Sequence, residues 1–295
     1  MNEEMVTHKL TKQQQRKSQL LRVLGLGATY LVLIIGALIL FFPVLWMIST
    51  SLKLPMMVFE FPPRLLPSPV AWENFVIAIR KFPFFLYLRN SVIVSGLATL
   101  GTVISSSLVA FGFARRRFPE RDLLFGVLLA TIMLPSIVTL IPTFVMFTKL
   151  KLVNTFLPLT LPYFFGGGAF NIFLLRQFYM SLPIDYDEAA YLEGASSLQV
   201  WWKIIVPLSK APLAIITVFT LLYSWNDFMG PLIYMNDPNM RTLAVGLEFF
   251  RDNYNTQWSY LMAGATLMMI PMVILFFAAQ RYFMQGILLT GLSGR

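Results

Sequence analysis

The sequence contains no cysteine, so disulfide frameworks and thiol chemistry are excluded. Its one histidine, His8, sits in a polar stretch near the N-terminus, which excludes zinc sites built from several His or Cys ligands. Charged residues make up only 13% of the chain, against about a quarter in soluble domains. No tight acidic cluster falls within an apolar segment, so no metal site is expected. A G-x-x-x-x-G-K-S/T phosphate cradle is also lacking, so the chain alone has no means of hydrolysing ATP. The run Gly166-Gly167-Gly168 has no lysine after it and lies in an apolar stretch, where it reads as a helix break or a point of close helix packing.

What remains is apolar sequence in long blocks. Hydrophobic residues are 57% of the 295, and mean hydropathy is +0.69. A spanning helix needs about 20 mostly apolar residues, and six segments meet or approach this: 24–48, 91–113, 123–147, 156–178, 211–234 and 260–283. The expected fold is therefore an all-α integral membrane protein with six transmembrane helices. Residues 1–23 form a basic N-terminal arm, 24–284 the transmembrane domain and 285–295 a tail. The first segment is too long for a signal h-region and no A-x-A site closes it, so it is read as an uncleaved span. The net charge is +9, but the basic residues lie mostly in short polar segments between apolar blocks. They are topology signals facing anionic lipid, not a nucleic-acid surface. Their distribution favours both termini inside, with Arg115, Arg116, Arg117 and Arg121 in an inner loop. The long outer segment from Ser51 to Asn90 carries Pro55, Pro62, Pro63, Pro67 and Pro69, and is expected to be an ordered cover without regular helix.

The inner loop 183–207 carries the most information. It reads as two short helices. Asp185 is placed to cap the first, with Glu188 three residues on, and Ser196 the second, with Gln199 three residues on. Gly194 supplies the left-handed residue that ends the first helix, and Pro207 is expected to end the second. The first helix carries the small residues Ala189 and Ala190. The second carries Trp201, Trp202, Ile204 and Ile205, too bulky to leave in water. Two readings are open on these residues alone: a docking surface for a partner, or a connection packed on the membrane surface and the chain's own spans.

The loop reads Glu188-Ala189-Ala190, three residues, Gly194, nine residues, Ile204, one residue, Val206, Pro207. This resembles the EAA loop of ABC importer permeases, E-A-A-x3-G-x9-I-x-L-P, with Val206 as a mild departure from leucine. Further likenesses to the carbohydrate branch, and within it to the six-span maltose type, are Ser51-Leu52-Lys53, Phe61-Pro62-Pro63, Asn74-Phe75, Ser224-Trp225-Asn226-Asp227-Phe228 with Pro231-Leu232, Thr242 to Leu247, and Gln280-Arg281-Tyr282-Phe283 with Gly286. The ending Gly291-Leu292-Ser293-Gly294-Arg295 departs from that branch. The resemblance implies a type I importer permease fold in a bacterial or archaeal cytoplasmic membrane. It also implies cytoplasmic coupling helices, with Glu188, Ala189, Ala190, Gly194, Ile204 and Pro207 meeting an ATPase. The implied partners are a second, different permease subunit, two ATP-binding cassette subunits holding ATP and Mg, and an extracytoplasmic solute-binding protein. That protein would deliver a sugar or oligosaccharide near 55–69 and 236–258.

Asp227 interrupts the fifth apolar segment beside Tyr223, Trp225 and Asn226. An ionisable residue at membrane depth is a candidate functional residue, and aromatic faces with amides suit a sugar ring. Equally, Gly230 and Pro231 break the helix nearby, and Asp227 then caps or anchors that break. Other readings remain: an ABC permease for a non-sugar solute, or an ion-coupled secondary transporter. The latter needs midplane acids, of which only Asp227 is available. A membrane hydrolase has no histidine in any span to work with.

Overall fold

In the computed structural model the backbone is described for residues 2–251 and 256–292. The side chains of 2–20, Ser136 and 281–292 lie outside the description, and with them His8, the Arg281-Tyr282-Phe283 stretch and the tail from 285. The loop 236–258 is described except for 252–255. All regular structure among the described residues is helical.

The first helix, α1 (Asn2–Ser51), runs unbroken through 50 residues. The basic arm expected at 1–23 is thus continuous with the first span, whose apolar part is Leu21–Ser51. Hydropathy marks where lipid begins, whereas helix continues as long as the backbone meets no breaker, and none stands between residues 2 and 24. The outer segment departs from expectation. Proline density falls after Pro69, and the amphipathic stretch that follows forms α2 (Glu73–Arg80). Next comes α3 (Phe84–Arg115), capped by Pro83 and beginning well before Ser91.

The third apolar segment is a bent pair instead of a single helix, and the fifth is interrupted at 226–228. Pro135 stands at the N-cap between α4 (Arg121–Ile132) and α5 (Ser136–Lys149). The fourth span is α6 (Leu157–Thr160), a 3-10 turn, the three glycines, and α7 (Ala169–Ser181). Gly167 has a φ of +62°, and a Cβ there would lie 2.7 Å from the Thr102 carbonyl oxygen of α3. The glycine thus serves both conformation and close approach. Then follow α8 (Asp185–Leu192), α9 (Ser197–Val200), a π-helical turn over Trp201–Ile205, and α10 (Val206–Leu208). The fifth span is α11 (Lys210–Trp225) and α12 (Met229–Tyr234). The chain closes through α13 (Leu243–Gly246) and α14 (Trp258–Leu292). Among the described residues four helices are long and apolar enough to cross a bilayer, or up to six if each bent pair, α4 with α5 and 197–208 with α11, is one span.

At the centre stands α3, packed against α7 and α11. Its 32 residues extend about 48 Å at 1.5 Å per residue, well beyond a hydrocarbon core of about 30 Å. An inner core joins Ala110, Phe111, Ile172, Leu175, Tyr179, Val200, Trp201, Ile205 and Ile216. An outer one joins Phe82, Phe84, Tyr87, Trp225, Leu243, Phe250 and Met268 with neighbours. In lipid such cores are held by close packing and interhelical hydrogen bonds, each bond contributing about 0.6 kcal/mol. By contrast, the central window of the first span buries none of its residues within the chain.

Candidate functional site

The loop 183–207 forms a foot below the spans, and its two helices arise as local sequence dictates, with one correction. The N-cap of α8 is Ile184, without a side-chain cap, and Asp185 is already the first helical residue. It adds negative charge to the first turn instead of capping it. The second helix ends at Leu208, one residue beyond Pro207, in the short α10 that follows directly on the π-helical turn. The chain then turns at Ser209, through 83° between 197–208 and α11. The remaining punctuation is as expected. Gly194 has φ +80°, and Ser196 with Gln199 forms a reciprocal capping box.

The foot has two faces. Outward stand Glu188, Ala189 and Gly194, all exposed, and a Cβ on Gly194 would meet nothing within 4 Å. Leu192, 89% exposed, and Trp202, 61% exposed, extend this surface. Inward, Trp201 and Ile205 are buried, and Ala190 packs on the same core. The bulky residues of the second helix are thus divided. Trp201 and Ile205 pack on the chain's own spans, Ile204 and Val206 are half-buried, and Trp202 and Pro207 face outward.

Polar contacts hold the inward face. The Trp201 indole Nε1 donates to Ser107 Oγ of α3 at 2.9 Å, and Ser107 also bonds the Tyr179 hydroxyl of α7 at 2.7 Å. Arg115, the last residue of α3, donates from Nη2 to the Leu182 carbonyl at 2.9 Å. Its Nε lies 3.1 Å from Asp187 Oδ2, with the side chains 6% and 2% exposed. That contact is an ion pair without an aligned hydrogen bond. Burial pushes the Asp187 carboxyl above its ordinary range, and the Arg115 charge pulls it partly back. Sequence reasoning passed over Arg115, Asp187, Ser107 and Tyr179. The available signal was helical period: on α8 a residue adjacent to an outward Glu188 points about 100° away.

The second cluster lies at the break between α11 and α12. Asp227 Oδ1 accepts from the Gly230 N–H at 3.1 Å, so its carboxylate covers the start of α12. Tyr223 and Asn226 are exposed, and Asn226 Nδ2 bonds the Leu222 carbonyl at 2.8 Å. Tyr163 of the fourth span stands within electrostatic reach of both Tyr223 and Asp227. Trp225 leaves this group. It is 3% exposed, and its Nε1 donates to the Met268 carbonyl of α14 at 3.1 Å. Successive residues on a helix point about 100° apart, so Trp225 turns away from Tyr223, and its indole is spent on packing.

Comparison with known proteins adds relatives to this geometry. The family model described as "Binding-protein-dependent transport system inner membrane component" matches residues 101–288. The sn-glycerol-3-phosphate transport system permease protein UgpE of Yersinia pestis bv. Antiqua (strain Antiqua) is 34% identical over 267 residues, covering 88% of this chain and 94% of that protein. The probable ABC transporter permease protein YurM of Bacillus subtilis (strain 168) is 36% identical over 248 residues, covering 83% and 81%. The fold is shared with a solved bacterial ABC transporter involved in the import of the acidic polysaccharide alginate. The TM-score is 0.77 at 22% identity, over 89% of this chain and 97% of that one.

Proposed function

This chain belongs to the family of binding-protein-dependent transport system inner membrane components, and from that premise we propose that it is one membrane half of an ATP-driven sugar importer whose foot is gripped by a separate ATPase. Membership makes it a multi-pass permease subunit of the inner membrane, working with a binding protein and ATPases. The finer reading is that it pairs with a second, different permease around one pathway, above two ATP-binding cassette subunits. ATP and Mg belong to those subunits, and this chain does no hydrolysis.

The observation that carries the reading is the two-faced foot. Its front is bare, jointed by a glycine and lined by small residues, while its back is fixed to α3 and α7. A docking helix needs both properties. The small residues at Ala189 and Gly194 allow close approach, Glu188 offers a charge to a basic or backbone donor, and Leu192 and Trp202 supply apolar contact. A force on the front then moves the spans instead of bending the loop. When the ATPases close on ATP, docked feet are drawn together and the pathway changes its open side, a rigid-body transition. ATP shifts that equilibrium through its preference for one ATPase state.

Tyr223, Asn226 and Asp227, with Tyr163, are the proposed contribution to the solute path. Phenol rings and amides suit polyhydroxylated solutes, and sn-glycerol-3-phosphate, the solute named for the UgpE relatives, is of that chemistry.

The test is substitution of the front without disturbing the back. Glu188→Trp and Gly194→Asn, the second because asparagine tolerates the left-handed backbone, should lower ATPase co-purification and sugar uptake about tenfold or more, the effect of losing ~1.4 kcal/mol of docking energy. Unchanged co-purification and uptake in both variants would sink the docking reading.

A further inference from the structure

One helix connects the foot to the outer surface, and it is bonded to neighbouring segments along its inner third and again at its outer end. At the inner end Arg115 of α3 holds Asp187 of α8 and the carbonyl that follows α7. About two turns up, Ser107 joins Tyr179 and Trp201. Just above, Ser105 Oγ donates to the Tyr163 carbonyl at 2.7 Å. Against this level Gly101 and Gly167 are contact points that admit no Cβ. At the outer end Ser91 Oγ accepts from the Leu243 N–H at 2.8 Å. There Asn90, fully buried, donates from Nδ2 to the carbonyls of Asn239 and Arg241 at 2.8 and 3.0 Å. Phe84 and Tyr87 of α3 also share the outer core with Leu243 and Phe250.

We propose that α3 is a rod that makes the foot and the outer segment 236–250 one rigid body, with Arg115 and Asp187 as positioning residues forming its inner joint. The proposal rests on the docking reading above and adds the path from the foot to the outside. Its basis is the distribution of bonds. The backbone of α3 continues without an internal proline from Phe84 to Arg115, whereas the third, fourth and fifth spans are each broken. A broken span absorbs a push at its break, but an unbroken helix bonded at both ends carries it. The ion pair and the hydrogen bond to the Leu182 carbonyl tie the inner end of α3 to α8 and to the end of α7 through one side chain.

The absence of cysteine makes a distance test clean. Cysteines are placed at Leu198 on the foot, away from the docking front, and at Phe249 on the outer segment, each 61% exposed, and spin-labelled in the complete transporter. The interlabel distance is measured without nucleotide and with MgATP under non-hydrolysing conditions. The expected result is one narrow distance common to both states. In Asp187→Asn, and in Arg115→Met combined with Asp187→Leu, ATPases should still co-purify. In these variants the distance should shift or broaden on MgATP by several ångströms, up to the ~5.4 Å of a helical turn. Two results overturn the rod: a shift of that size with the joint intact, or joint variants that keep the single narrow distance. The docking reading fails on a different observable, because Glu188→Trp bears on ATPase capture and leaves this intramolecular distance alone.

Discussion

Removing Asp187 gives the sharpest stability test of how the foot is held. Asp187→Ala takes one member from a pair whose side chains are 2% and 6% exposed, so the Arg115 guanidinium stays buried with its charge uncompensated. Breaking such a pair from one side costs about 3–5 kcal/mol. Arg115 still donates to the Leu182 carbonyl, which keeps part of its solvation replaced, so the lower end, about 3 kcal/mol, is expected. At roughly 2 °C per kcal/mol for a chain of this size or somewhat smaller, the midpoint should fall by about 6 °C. Replacing both partners, Arg115→Met with Asp187→Leu, removes the charges together. Since the native contact lacks an aligned hydrogen bond, its Coulombic return is modest against the cost of desolvating two ions. The double variant should therefore melt at or above the parent temperature. The assay is thermal unfolding of the purified protein in detergent, followed by tryptophan fluorescence at one scan rate, because membrane proteins commonly unfold irreversibly. An Asp187→Ala midpoint equal to the parent's refutes the reasoning. So does a double variant that melts as low as the single one, since the loss would then belong to packing and not to an orphaned charge.

Two further outcomes follow from other parts of the chain. Gly167→Ala sets a Cβ 2.7 Å from the Thr102 carbonyl oxygen at a φ of +62°. It should cost more than the ~1 kcal/mol of an ordinary strained turn and sharply reduce folded yield. Gly25→Ala, with nothing within 4 Å, should leave yield unchanged, and equal yields of the two would refute the close-packing argument. Lys53, 3% exposed and stacked over the Trp46 ring at 4.4 Å, has its pKa lowered by burial. A cation whose folded pKa is depressed carries a burial cost. That cost is absent above the unfolded value of 10.5 and grows as pH falls through the folded pKa. Parent stability relative to Lys53→Met should therefore rise as pH is raised toward 10.5, measured as the difference in melting midpoint. A difference independent of pH refutes it.

The spans and the foot were largely legible because both are written in local terms. Apolar length marks the bilayer, and Ser196, Gln199 and Gly194 mark helix ends through chemistry that acts within a few residues. Asp185 is the expected cap by the commonest role of its residue type, yet it fits the first helical turn at no greater cost. The boundary between the basic arm and the first span marks a change of polarity, and the apolar span begins at Leu21 within one continuous helix. Trp225 was grouped with Asn226 and Asp227 by adjacency. On a helix, adjacency turns side chains about 100° apart, and the indole turned to Met268.

The same geometry explains why the motif at the foot tells only half of what the foot requires. Of its named positions, Glu188, Ala189, Gly194 and Pro207 lie on the exposed front, where a partner constrains both residue type and spacing, whereas Ala190 packs inward and Ile204 and Val206 are half-buried. The back is held by Asp187, Trp201 and Ile205, whose partners Arg115, Ser107 and Tyr179 lie between 22 and 94 positions away in the chain. No local pattern can record pairings over such separations. Yet a surface that receives force must be fixed from behind, or the loop would yield before the spans move. A short motif of small residues on an inner loop therefore implies a second, hidden set of contacts joining it to the neighbouring spans. In this chain that set converges on α3, which runs unbroken from the inner loop 116–120 to the outer segment and packs against both α7 and α11.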